Sequence, residues 1–222
     1  MPEPTRLVSS LEMKPTDLKV RLPKLTDSSG GPSLSENVRS FFQTCQFFDV
    51  CLVVKDVRFP VHQAVLASLS EGMQRFLREA LAVLPRPEVM CCAVEELPSI
   101  QLGISHPKAV LVLLDFAYQL GGAFELDIEE LRDVLKLAQI FELPMLQERL
   151  VEPMAQQVTH ASIMEILAIS VQFDLMGLYN HAFKILVLSG YLKEMAKSNS
   201  MLQYPELMQH MLLHFAATSH AK

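Results

Sequence analysis

The window from Phe48 to Ser68 constrains this chain most, because it compresses a buried strand, a tight reversal and a helix start into one short stretch. Val50, Cys51, Leu52, Val53 and Val54 form a continuous apolar run between Asp49 and the polar pair Lys55-Asp56. A run of that length with β-branched residues predicts a buried strand. Val57 to Phe59 then predicts a return strand, and His62 to about Leu69 a helix. The reversal at Lys55-Asp56 lacks the glycine that tight hairpins prefer.

The residues of this window resemble the signature of the BTB/POZ family. That pattern runs Asp-Val-x-Leu-Val-Val, a reversal, Phe-x-x-His and Val-Leu-Ala-x-x-Ser, met here at Asp49, Val50, Leu52, Val53, Val54, Phe59, His62, Val65, Leu66, Ala67 and Ser70. A second block, Leu113-Leu114-Asp115-Phe116-Ala117-Tyr118 with a stop at Gly121-Gly122, resembles the Leu-Leu-x-Phe-x-Tyr helix of the family. The resemblance implies an α+β fold, a small mixed sheet flanked by helices, over about residues 34–150. It also implies a function in protein–protein assembly and not in chemistry.

Before that region, residues 1–33 read as a flexible leader, with five prolines and the run Ser28-Ser29-Gly30-Gly31. Leu18, Val20 and Leu22 alternate with Lys19 and Arg21, a period-two pattern that fits an edge strand. In the family an N-terminal strand often crosses to the partner subunit, but the shortness of this run favours a solvated linker. Ser33 and Glu36 have the spacing of a capping box, followed at helical intervals by Leu34, Val38, Phe41, Phe42 and Cys45. The resemblance makes Val38, Phe41 and Phe42 candidates for a dimer interface, with simple core packing as the competing reading. Beyond the signature, Glu71 to Val83 predicts a helix, Val89 to Val94 an extra strand, and Glu95 to Leu102 a short strand before the second block.

The C-terminal third is helical and repeats itself. Leu135, Ala138, Phe141, Glu142, Leu143 and Leu146 recur as Leu167, Ser170, Phe173, Asp174, Leu175 and Leu178. Each copy reads as two helices joined at a two-residue corner, the way stacked hairpins share a core. The second copy, opening near a Ser162/Glu165 capping box, resembles the BACK region that follows many BTB domains. Residues 151–216 are therefore an all-α, BACK-like extension and 217–222 a tail. Tyr204-Pro205-Glu206-Leu207 is similar to the shortened tail of speckle-type POZ proteins, which are cullin-3 adaptors.

The resemblance then implies a homodimer that brings an unknown client to cullin-3. Its hydrophobic-x-Glu motif finds a counterpart in Leu77-Arg78-Glu79, with Tyr118 as a further cullin-contact candidate. The competing reading puts Leu77 in the core with Met73 and Leu81 and leaves Glu79 solvated. A scaffold or transcriptional regulator that does not bind a cullin is the alternative function. In repressor-type relatives the motif Asp, here Asp49, pairs at the dimer groove with a basic residue after the histidine. Here that position is Gln63, which can hydrogen-bond a carboxylate but not neutralise it.

Other chemistry has little footing. No phosphate loop, nucleophile elbow or carboxylate pair is present, so no catalytic residue and no cofactor are assigned. His62 reads as a structural residue packed at a helix start. His210 and His214 have a metal-compatible spacing, but no glutamate lies between them and no third ligand is indicated, so no metal is assigned. A net charge of −6 without a basic cluster argues against nucleic acid. The longest apolar run, Ala109 to Leu114, falls far short of the roughly 20 residues of a membrane helix. Four cysteines without a Cys-x-x-Cys pair or a leader fit an intracellular location, cytoplasmic or nuclear. With no Kelch or MATH domain in view, the leader or the C-terminal helix carrying Met201, Leu207, Met208, Met211 and Phe215 is the candidate client site.

Overall fold

A computed structural model of the chain describes residues 18–22, 36–84, 96–190 and 203–219. The predicted window folds as read: β2 (Val50–Val54) and β3 (Val57–Val61) form an antiparallel hairpin pairing Val54 with Val57 across Lys55-Asp56. Lys55 itself takes the left-handed conformation, φ 53°, that the missing glycine would have supplied. β4 (Ser99–Gln101) adds in parallel on the other side of β2, giving the order β3-β2-β4. The central position of β2 explains its continuous apolar run.

Around this sheet lie α1 (Glu36–Gln43), α2 (Gln63–Ala67), α3 (Glu71–Ala82) and α4 (Pro107–Tyr118). α4 carries nine buried residues and ends at Gln119, a left-handed residue, not at the predicted glycine pair. Ser70 caps α3: its Oγ accepts the Met73 N–H and donates to the Phe141 carbonyl. The expected helical stripe from Leu34 to Cys45 is cut short, since α1 ends at Gln43 and Cys45 is left-handed (φ 56°) and exposed. Ser33, Leu34 and the predicted strand from Val89 to Val94 lie outside the described residues.

The linker reading of Leu18 to Leu22 is overturned. β1 (Val20–Leu22) pairs antiparallel with β5 (Phe124–Leu126) of the same chain, with Val20 and Leu22 buried and Arg21 exposed. Three residues carry too little periodicity to announce a strand, whereas burial against β5 and α6 decides the matter.

The repeat is two stacked hairpins, α5 (Ile128–Ile140) with α6 (Pro144–Gln156), and α7 (Ile163–Gln172) with α8 (Met176–Leu188). Both corners use the same device. Glu142 and Asp174 are left-handed, φ 54° and 55°, and the N–H of Leu143 and Leu175 returns to the carbonyls of Ala138 and Ser170. This is the Schellman closure, built without glycine. α9 (Pro205–Ser219) packs on α7, and one hydrophobic core runs from β1 to Met211.

The Ser162/Glu165 capping box does not form. Ser162 is bonded to Thr159 and the Gln157 carbonyl, while Glu165 accepts from Arg132 of α5 at 3.1 Å and from the Tyr204 hydroxyl at 2.6 Å. Glu165 thus ties the first hairpin, the second hairpin and the C-terminal segment together. Burial, then the Glu165 carboxylate, pushes the Tyr204 phenol up from its ordinary value.

Candidate self-association surface

The hinge of this region is His62, which ends β3's side of the sheet and opens α2. Its backbone N–H donates to the Tyr118 hydroxyl at 2.9 Å, and its Nδ1 meets the same oxygen at 2.8 Å. Nε2 lies 2.8 Å from the Gln46 carbonyl. A carbonyl only accepts, so Nε2 carries the proton and Nδ1 accepts from the Tyr118 O–H. Burial raises the Tyr118 phenol, opposed by the His62 N–H and reinforced by the Asp49 charge.

This network fixes the far end of α1. Cys45 N–H returns to Phe42 O and Gln46 N–H to Phe41 O, closing the helix, and His62 holds Gln46 from the other side. Four aromatic rings fill the gap: Phe42 stacks on Tyr118 at 4.1 Å and Phe48 packs on His62 at 4.9 Å. Val38 and Phe42 lean on the core, and Arg39 donates to Gln119 at 2.7 Å. Phe41 is half-buried, and its ring meets that of Phe47 edge-on at 4.9 Å. Phe47 is 71% exposed. The outer face of α1 is therefore aromatic and open.

Asp49 borders this region and is exposed. Its Oδ1 accepts the backbone N–H of Gln63 at 2.6 Å, so the main chain satisfies the carboxylate and not the Gln63 side-chain amide. Asp49 thereby caps α2, whose nominal cap His62 makes no side-chain cap bond.

Other sequence candidates sit elsewhere. Leu77 is 1% exposed and Tyr118 0%, both committed to the core, so neither side chain can fill a pocket on a cullin; Glu79 is exposed alone. Phe59 is buried against the same core. Leu207 and Met211 are likewise buried, which removes them from a client-binding face, and Met201 lies outside the described residues. His210 packs edge-on against Tyr179 at 4.6 Å, while the side chain of His214 is outside the described set. Among the described residues no group of three His, Cys, Asp or Glu could hold a metal, and no helix is long and apolar enough to cross a membrane.

A family model described as the BTB/POZ domain matches residues 38–158, more than half of the chain. The chain belongs to the BTB/POZ family. The match runs from α1 through α6 and stops in the connection before α7. Among solved structures 106 chains match, including the BTB domain of zebrafish PATZ1, 23% identical over 55% of this chain and 88% of that one, with a TM-score of 0.40. No curated protein matches. A BTB domain is a protein–protein interaction module that commonly self-associates, and this one meets that role with an α+β fold.

Sequence reasoning passed over Phe47 and Gln46. The available signal was the Phe47-Phe48 pair directly before Asp49: two adjacent rings cannot both point inward, so one had to face out.

Proposed function

We propose that this chain is a homodimeric BTB adaptor that links a client protein to cullin-3. The observation that carries self-association is the aromatic edge beside α1, where the exposed Phe47 meets the half-buried Phe41 next to a helix with no fully buried residue. Val38 and Phe42 support that face from below, and Asp49 stands at its border. An exposed aromatic patch on a BTB domain is the place for a second copy.

The cullin reading draws support from the second hairpin. α7 and α8 repeat α5 and α6 in register, as the BACK-like extension of cullin-3 adaptors does. The exposed Ile140 and Met145, flanking the first corner, offer an apolar edge beside the Arg75–Glu142 ion pair of α3. The burial of Leu77 favours the second reading, a homo-oligomerising scaffold or transcriptional regulator that binds no cullin.

Light scattering on a sizing column separates the readings, with the chain run alone and then with the N-terminal domain of cullin-3. A dimer that shifts to a two-to-two complex supports the adaptor. A dimer indifferent to the cullin leaves the scaffold, and a monomer at every concentration refutes self-association.

A further inference from the structure

Tyr204, Leu207 and Met211 stand at i, i+3 and i+7, the spacing at which an amphipathic helix seats its anchors in a groove. Among the described side chains of α9, Leu207 and Met211 are the two that are fully buried, and the hydroxyl of Tyr204 donates to Glu165 of α7 at 2.6 Å. His210 sets its ring edge-on against Tyr179 of α8 at 4.6 Å. Glu165 thus meets the residue before the helix and Tyr179 meets its second turn, while Ala168 and Val171 of α7 wall the space beside Leu207.

α9 is seated as a bound helix would be, but not closely. A cavity of about 360 Å³ lies between α7 and α9, lined by Ala168, Val171, Tyr204 and Leu207. Such a void forfeits the contacts its walls would otherwise make. Nδ1 of His210 is buried and has no hydrogen bond among the described residues, a cost that the ring would recover in water. On the outer side Leu212 and Leu213 remain 64% and 63% exposed. Elements with few buried apolar contacts are those that open while the rest of a fold stays closed.

We propose that α9 is a releasable plug, the resident occupant of a groove on the α7–α8 hairpin that takes, when α9 lifts off, an amphipathic helix of a partner protein presenting tyrosine, leucine and methionine at i, i+3 and i+7. The occupant is read from what lies in the groove: the Glu165 carboxylate, held by Arg132 at 3.1 Å, takes a hydroxyl donor at one end, and the apolar wall of Ala168 and Val171 takes the side chains that follow. Such a partner competes with a segment already tethered, so its apparent affinity is reduced by the fraction of chains in which the groove is open. This reading stands apart from self-association at α1 and from any cullin contact.

The test uses the full chain and a fluorescent peptide of residues 203–219, followed by anisotropy. Tyr204→Phe in the chain weakens its own plug and leaves the groove intact, so the peptide should bind that variant about tenfold more tightly than the wild type, the worth of a hydrogen bond to a charged group. The same substitution in the peptide should weaken binding about tenfold instead. Opposite signs from one substitution on the two sides are the mark of competition for one groove. Hydrogen exchange on the wild type provides a second readout, with the amides of α9 exchanging ahead of those of α7 and α8. A Tyr204→Phe chain that binds the peptide no better than the wild type overturns the plug, as does binding indifferent to Tyr204→Phe in the peptide. Exchange of α9 in step with α7 and α8 overturns it as well, since α9 would then be a fixed part of the core.

Discussion

Replacing Tyr118 with Phe removes one oxygen and leaves two buried groups without a partner. The His62 N–H loses its acceptor and His62 Nδ1 its donor, while the rest of the ring keeps its stack on Phe42. Each stranded buried group costs about 1–3 kcal/mol, so the pair gives about 3 kcal/mol once partial relaxation of the imidazole is allowed. Against a total stability of about 5–15 kcal/mol this is a large share. For a chain of this size each kcal/mol lowers the melting temperature by about 2–4 °C, so Tyr118→Phe should melt about 6–12 °C lower. Circular dichroism at a fixed protein concentration reads this, the concentration being held because any self-association would also stabilise. A shift under about 2 °C would refute the closed network. The same substitution has an alkaline signature. Tyr118 is raised above its ordinary value of 10.0, so its contribution is intact below that pH and fades as pH rises beyond it, when the unfolded phenol ionises first. Tyr179 and Tyr204 are raised too, so the wild type should lose stability more steeply above pH 10 than the variant, which lacks the contribution of Tyr118.

Asp133 is 3% exposed; burial raises its carboxyl, but hydrogen bonds from the Ser105 N–H, the His106 ring and N–H, and Lys136 outweigh that and hold it below its ordinary value of 3.8. Its stabilisation is present above that value and lost as pH falls below it, so Asp133→Asn should lower the unfolding free energy from urea titration at pH 7 by about 1–3 kcal/mol and flatten the acid limb. Gly72 and Gly177 both lie in helices, yet alanine should act oppositely at the two. A Cβ at Gly72 would sit 2.9 Å from the Cβ of Glu142, which no rotamer change can relieve, so Gly72→Ala should cost about 1–3 kcal/mol despite better helix propensity. A Cβ at Gly177 meets nothing within 4 Å, so Gly177→Ala should gain up to about 1 kcal/mol; equal signs in the same denaturation experiment would refute the packing argument.

The central sheet was legible because β2 is buried on both faces, and a strand in that position must be apolar throughout. The hairpin corners were legible because Phe-Glu-Leu and Phe-Asp-Leu repeat both the buried ring and the residue that turns. What escaped depended on partners distant in the chain. β1 is a strand only because β5, about a hundred residues away, offers its edge. Glu165 has the spacing of a cap residue but is drawn off by Arg132 and Tyr204. Leu77 fits a docking motif at the level of letters, yet the helical phase of α3 turns it to the core with Met73. Tyr118 is apolar enough to be buried, and only its distance to His62, set by tertiary packing, shows why a hydroxyl is there.

The hydrophobic core that passes without a break from β1 through α6 into α8 and α9 has a mechanical consequence. Among the described residues that core links the proposed α1 face to the far helices, so a chain that paired there would act as one arm. Two such arms, if joined at α1 as proposed, would hold their tips at one spacing, like the points of a pair of calipers. A two-pronged partner gains from both contacts only when its own span agrees with that opening, so the dimer would choose such partners by measure as well as by chemistry.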